Sequence, residues 1–238
     1  FDPATDASVQ GLDVLRNVPD EQVLALMQNN EVTATLVEAL NAFFLGGAAR
    51  ALRGKPDAPC TMLVHTSQRI AEQGPTKAII EARFREIRDE WRYDRKGGIR
   101  KRFKELWDRD FVETSKGVGG RPVHKFEEVE PHLGTFLDAV CVREINSDKG
   151  EVLDYELEPS LKAIAIGGNK LSRGLTLEGL LVSYFARRSP QYDTLLQMCR
   201  WYGYRAGYED LTRIYTTGDL AGWFADLALV EHRLRQDM

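Results

Sequence analysis

Short apolar runs alternate along this chain with stretches of helical spacing. The strand-like runs are Thr61-Met62-Leu63-Val64-His65-Thr66-Ser67, Ala139–Ile145, Ala163–Ile166, Leu180–Phe185 and Leu211–Tyr215. An apolar middle with an abrupt polar end suits a short strand buried on both faces of a parallel sheet. Helical spacing begins behind Pro19-Asp20, with Val23, Leu24 and Met27, and resumes from about Thr33 to Arg50. There Leu36, Leu40, Phe43 and Phe44 share one face, and Gly54-Lys55-Pro56 ends the helix. From Gln68 to about Ser115 the pattern is helical and highly charged, broken once at Gly97-Gly98. Phe126, Val129, Leu133 and Leu137 mark a further helix. Another helical stretch lies around Tyr192–Cys199, and residues from Gly218 to Arg235 read as a closing amphipathic helix.

Strands alternating with helices predict an α/β layered fold with a mostly parallel sheet. Residues 1–60 read as an N-terminal helical segment. Residues 61–238 read as the sheet-bearing lobe, with a helical insertion at about 68–137 between its first two strands. A chain that is 43% hydrophobic and 29% charged can bury a core of this size. Its formal net charge of −4 leaves nucleic-acid binding to a local patch. Cys60, Cys141 and Cys199 are scattered and odd in number, which suits a reducing, cytoplasmic setting better than a disulfide framework. No apolar run approaches the roughly 20 residues that span a bilayer, so no membrane partner is expected. Phe1-Asp2-Pro3 opens without a Met or a basic leader, and the expectation is a piece of a longer chain.

In open parallel sheets ligands gather at the carboxyl ends of the strands. Three polar clusters fall there: His65-Thr66-Ser67, the loop from Gly167 to Glu178, and "QMCRWYGYR", residues 197–205. Arginine offers a planar fork of donors suited to phosphate oxygens. Each cluster also has a plainer reading. Gly167-Gly168 could be a tight strand exit, Arg173 and Arg200 could be salt-bridged scaffolding, and Trp201, Tyr202 and Tyr204 could be packing. "RYDRKGGIRKRFK", Arg92 to Lys104, carries seven basic residues against one Asp. It reads either as a phosphate-binding hinge, with Arg100, Lys101 and Arg102 at its centre, or as a solvated helical face. Asp154-x-Glu156 with Lys162 has the wrong spacing for a nuclease carboxylate–lysine set. With four His and no Cys/His cluster, no metal site is expected.

The strings "IGGNKLSRGLTLEG" and "QMCRWYGYR" resemble the fifth and sixth motifs of superfamily-two helicases, and "TMLVHTS" resembles the strand that opens the second RecA-like lobe of those enzymes. The longer stretch "GGNKLSRGLTLEGLLVSYFARRSPQYDTLLQMCRWYGYRAGYEDLTRIY" resembles more closely the Z1 domain family of bacterial proteins often labelled putative endonucleases. The likeness takes in "LVEALNAFFLGGAAR" and is most specific over residues 163–216.

The resemblance implies a RecA-like, P-loop NTPase-like lobe in a helicase-like, DNA-acting ATPase with a restriction-modification or anti-phage role. It implies that Ser172 and Arg173, with His65, Thr66 and Ser67, meet nucleic acid. Asn169, Gly174, Thr176 and Glu178 fall on the nucleotide side, Glu178 as a substitute for the Asp usual near Thr176. Gln197, Arg200 and Arg205 match the sixth motif, whose arginines reach the γ-phosphate of ATP. Cys199 stands where a Gly is usual, and Trp-Tyr-Gly-Tyr separates the two arginines instead of two residues. ATP and Mg²⁺ would be bound mainly by an upstream lobe, because this chain has no G-x-x-x-x-G-K-[ST] loop and no D-E-x-x strand. No cofactor or turnover is expected of the chain alone. Implied partners are DNA, that upstream ATPase lobe, and a GHKL-type ATPase or DNA-modification protein. Two other classes stay open: an endonuclease component, and a non-catalytic RecA-like interaction module.

Overall fold

The computed structural model describes residues 14–66, 70–94, 96–118, 120–145, 152–168, 177–186 and 207–224, with 226 and 233 beyond them. Six strands form one sheet: β1 (Leu15–Asn17), β2 (Cys60–His65), β3 (Val140–Ile145), β4 (Lys162–Gly167), β5 (Leu180–Phe185) and β6 (Arg213–Thr216). Their order is β1-β6-β5-β2-β4-β3, and every pairing is parallel. Helices flank this sheet, an α/β arrangement consistent with a RecA-like lobe. The central strands β2, β4 and β5 are buried along their whole length. That burial is why they read as unbroken apolar runs rather than as alternating ones.

The sheet faces differ in size of side chain. Ile164 and Ile166 of β4, and Met62 and Val64 of β2, enter the larger core on the helical side. Ala163, Ala165 and Leu63 point to a smaller cluster on the other face, closed by Leu153, Leu161, Leu177 and Leu220. Leu220 belongs to the final described helix, 218–224. Both β1→β2 and β2→β3 step toward the β3 side, whereas β3→β4, β4→β5 and β5→β6 step back. Right-handed crossovers put the helical connections β1→β2 and β2→β3 on one face.

Helix α1 (Asp20–Asn29) carries Asp20 and Glu21 in its first turn, favourable against the helix dipole, and stops at Asn30 in the left-handed conformation. Thr33 caps α2 (Ala34–Leu52) by accepting from the Leu36 amide at 3.4 Å. From Ala39 to Arg50 the α2 side chains are buried all the way round the helix. Gly47 is a packing notch, since a Cβ there would lie 2.0 Å from the ring of Phe136. Phe136 belongs to α6 (Phe126–Ala139), which packs across α2. Between β2 and α6 run α3 (Ile70–Tyr93), α4 (Gly98–Leu106), a wider π turn (Trp107–Phe111) and α5 (Val112–Gly117).

The helices between β2 and β3 are not set apart from the sheet: α3 lies against β3 and β4, and α6 packs on α2, which itself lies against β5 within the main core. The N-terminal segment also carries the edge strand β1, which the sequence pattern does not announce. At three residues, of which only Arg16 is even half-buried, β1 has no apolar run to read. The expected strand at Leu211–Tyr215 begins two residues later, because Leu211 closes a short 3₁₀ turn, Glu209–Leu211. Among the described residues no single helix is long and apolar enough to cross a membrane.

Candidate functional site

Strand β2 sends the chain to the β3 side of the sheet, while its neighbour β5 sends it to β6 on the opposite side. The carboxyl ends of β2 and β5 therefore flank a topological switch point, the place where open parallel sheets leave a crevice for ligands. The end of β4 lies on the other flank of β2. His65-Thr66 ends β2, Gly167 ends β4, and the chain that carries residues 197–205 follows β5.

His65 laces the three ends together. Its Nδ1 donates to the carbonyl of Gly167, the last residue of β4, at 2.6 Å; a carbonyl can only accept, which fixes the proton on Nδ1. Its own carbonyl accepts from the Ala186 amide just beyond β5, at 3.2 Å. Its ring stacks on Phe185, with centroids 5.2 Å apart and planes 1° from parallel. The ring is fully enclosed, and Thr66 is buried beside it. The expectation that His65 and Thr66 meet nucleic acid is revised on that ground. Both are enclosed in the frame, and His65 fixes where the loops after Gly168 and Ala186 depart.

Ser67, Asn169, Ser172, Arg173, Gly174, Thr176, Gln197, Arg200 and Arg205 lie outside the described residues. Glu178 is described. It precedes β5, so it sits at the amino edge of the sheet, where its backbone carbonyl accepts from Thr61 Oγ1 at 2.8 Å. A six-residue strand separates that edge from the crevice by roughly 17 Å. Its neighbour Gly179 holds φ +62° against the Pro59 carbonyl, where a Cβ would come within 1.8 Å.

The segment 187–206 is anchored at both ends. Ala186 is held by His65, and the chain re-enters the described structure at Gly207 under a cluster of cations. Arg50 lies over the Tyr208 ring at 4.1 Å, and Arg121 pairs with Glu209 at 2.5 Å. Arg53 grips Asp210 through two hydrogen bonds of 2.8 and 2.6 Å, and Ser115 donates to the same carboxylate at 2.6 Å. Farther along the chain, the fully buried Arg213 donates to Asp110 on the π turn at 2.8 Å, and Arg16 of β1 reaches the same carboxylate. Arg213 also donates to Thr114 Oγ1 and stacks over Phe111.

Burial alone would raise the Asp110 carboxyl, but the Arg213 charge and the hydrogen bonds from Arg16 and Arg213 outweigh it and hold its pKa below the usual range. Asp210 shows the same balance: burial raises it, and Arg53 with Ser115 brings it below its ordinary value. Sequence reading missed this network. A carboxylate in a charged helical stretch looks the same whether it faces water or a buried guanidinium.

Five of the seven cations in the basic run meet acids. Arg92 pairs with Asp138 at 2.5 Å, Arg100 with Glu130 at 3.1 Å, Lys101 with Glu105 at 3.8 Å, Arg102 with Glu90, and Lys104 with Glu127 at 2.8 Å. Arg100 also lies over the Trp91 ring. Asp138 ends α6 just before β3, so the run begins at the amino edge, away from the crevice. Asp154 accepts from the amides of Glu156 and Leu157 as a turn cap, while Lys162 donates to the Ala58 carbonyl at 2.5 Å. These residues form no carboxylate–lysine set. Among the described residues no group of three or more His, Cys, Asp or Glu converges on a metal position.

A family model described as the Z1 domain matches residues 35–238, from the first turn of α2 to the end of the chain. No curated protein and no solved structure matches. The match takes in α2, five of the six strands and both loops that leave the switch point, and the chain belongs to the Z1 domain family.

Proposed function

We propose that this chain is the second, C-terminal-type RecA-like lobe of a helicase-like, DNA-acting ATPase in a bacterial restriction-modification or anti-phage system. The observation that carries the reading is the switch point between β2 and β5. It coincides with the departure of the segment bearing Gln197, Arg200 and Arg205, and the loop bearing Arg173 leaves from the adjacent β4.

At the crevice the His65 side chain is enclosed by Gly167, Ala186 and Phe185. Phosphate recognition therefore falls to arginines of the two loops and to a second lobe that binds ATP with Mg²⁺. In this reading Ser172 and Arg173 touch the nucleic-acid backbone, and Asn169, Gly174 and Thr176 shape the nucleotide side of the loop. Arg200 and Arg205 face the γ-phosphate and Gln197 orients them. When ATP is bound, a fixed guanidinium stabilises charge that develops on the transferring phosphoryl group, an effect worth about 10³–10⁵ in rate.

The test is DNA-stimulated ATP hydrolysis by the full-length protein. Arg200→Ala and Arg205→Ala are each expected to lower kcat by at least about 10³ while the thermal unfolding midpoint is unchanged. Wild-type turnover in both variants would sink the assignment.

A further inference from the structure

Strand β3 closes one side of the sheet, and among the described residues nothing pairs with its outer edge. The opposite edge strand, β1, is three residues long, whereas β3 has six in unbroken register with β4. It contains no Pro and no bulge, two of the devices that blunt an edge, and its charged residues, Arg143 and Glu144, fall in its carboxyl half. A groove of about 270 Å³ runs beside it, lined by Val140, Cys141 and Val142 from the strand and by Glu81, Phe84, Arg85 and Arg88 from α3. Successive strand side chains point to opposite faces. Three consecutive residues can line one groove only where that groove abuts the strand edge-on.

The groove is positively charged in a way the rest of the helical block is not. Arg83, Arg92, Arg100, Arg102, Arg109 and Arg121 all pair with carboxylates. Arg85 and Arg88 pair with none among the described residues. Arg88 lies over the Phe84 ring at 5.6 Å, and its buried Nε has no hydrogen-bond partner. The acid beside them, Glu81, lies 3.9 Å from Lys77. A buried donor without an acceptor carries a desolvation penalty, which a bound acceptor would relieve.

We propose that the β3 edge and the α3 arginines form a docking groove for an acidic, extended peptide of a partner protein, added to the sheet as a seventh strand. The open backbone of β3 supplies the main-chain ladder, about 4.8 Å from the incoming strand. Arg85 and Arg88 supply charge selection, and the apolar parts of Phe84, Val140 and Val142 receive alternate side chains. A second copy of this chain is the wrong occupant, because pairing two β3 edges would bring four uncompensated guanidinium groups together. Nucleic acid would satisfy the arginines but leave the strand's amides and carbonyls unpaired.

The test uses fluorescein-labelled, acidic peptides of about seven residues with β-branched residues at alternate positions, measured by fluorescence anisotropy against the full-length protein. Three controls accompany them: the same peptides with Lys for each acid, the same peptides N-methylated at alternate amides, and a single-stranded oligonucleotide of equal charge. The acidic peptides are expected to bind, with N-methylation or Arg85→Glu/Arg88→Glu weakening binding by at least about tenfold. Binding should also slow amide exchange at Val140–Val142. Because neither arginine has an ionic partner among the described residues, the double variant should unfold at the wild-type temperature. Three results would each overturn the proposal: equal binding of acidic and Lys peptides, unchanged affinity in the double variant, or displacement of the peptide by the oligonucleotide. Absence of binding by every acidic peptide at roughly millimolar concentration would do the same, leaving the arginines as guards against edge-to-edge association.

Discussion

The two edges of the sheet are built from different chemistry. At the amino edge, charge is taken out of water and paired: Arg213 with Asp110, and Arg53 with Asp210. At the carboxyl edge the ends of β2, β4 and β5 are joined through the ring and the backbone of one residue, His65. Paired buried charge tolerates little change of geometry, because either partner left alone is heavily penalised. The buried ion pairs sit at the amino edge, about one strand length from the carboxyl ends of β2 and β5.

The largest effect is expected from breaking the amino edge. Asp110→Asn leaves the enclosed Arg213 without its charge partner and should cost about 3–5 kcal/mol in urea unfolding. Replacing both, Asp110→Leu with Arg213→Met, should recover much of that loss. Acid should show the same contrast. Asp110 and Asp210 titrate below their ordinary values in the folded chain. Their stabilisation is therefore complete above the unfolded carboxylate pKa of about 3.9 and is lost as pH falls through the lower folded values. Wild-type stability should drop steeply below about pH 4, and the apolar double variant should drop less. An identical acid slope in both would show that these carboxylates do not carry it.

A smaller effect is expected at the carboxyl edge. His65→Ala removes one hydrogen bond, orphans the Gly167 carbonyl and opens space beside Phe185, a loss of about 2–3 kcal/mol. His65→Phe keeps the stacking and should lose about half as much. If His65 fixes the loop departures, both variants of the full-length protein should also lose DNA-stimulated ATPase activity at temperatures where they remain folded. Full activity in a folded His65→Ala protein would separate the frame from the function.

The edges also differ in how far the sequence discloses them. The buried strands were legible because burial on both faces forces an apolar run, as in Leu180–Phe185. The helices α2 and α6 were legible because Leu36, Leu40 and Phe43, and Phe126, Val129, Leu133 and Leu137, keep helical spacing. Strand β1 was hidden because an edge strand of three residues needs no apolar run, and it is attached by a backbone ladder to β6 and an ion pair between Arg16 and Asp110. The ends of β2, β4 and β5 were legible as polar clusters, yet their roles were not. His65 and Glu178 lie in the right strings, but chain direction turns one inward and puts the other at the opposite edge. Burial and topology, not residue type, decide which polar residue can meet a ligand.

Between the two edges in character is the basic run of α4, whose charges are paired but exposed. Exposed pairs are weak and exchange partners readily. If Arg100, Lys101 and Arg102 serve DNA, phosphates must displace Glu130, Glu105 and Glu90. Reversing all three to Glu sets like charges against those acids, and should lower the unfolding midpoint by no more than about 4 °C. The same variant of the full-length protein should bind DNA more weakly whatever its sequence, and its salt slope should fall by about one for each phosphate it no longer neutralises. The opposite change discriminates further. Glu90→Gln with Glu130→Gln frees two arginines without adding any cation, so it should tighten DNA binding and steepen the slope. Unchanged binding in both variants at low salt would reduce the run to a solvated face and leave the crevice loops as the proposed nucleic-acid contact.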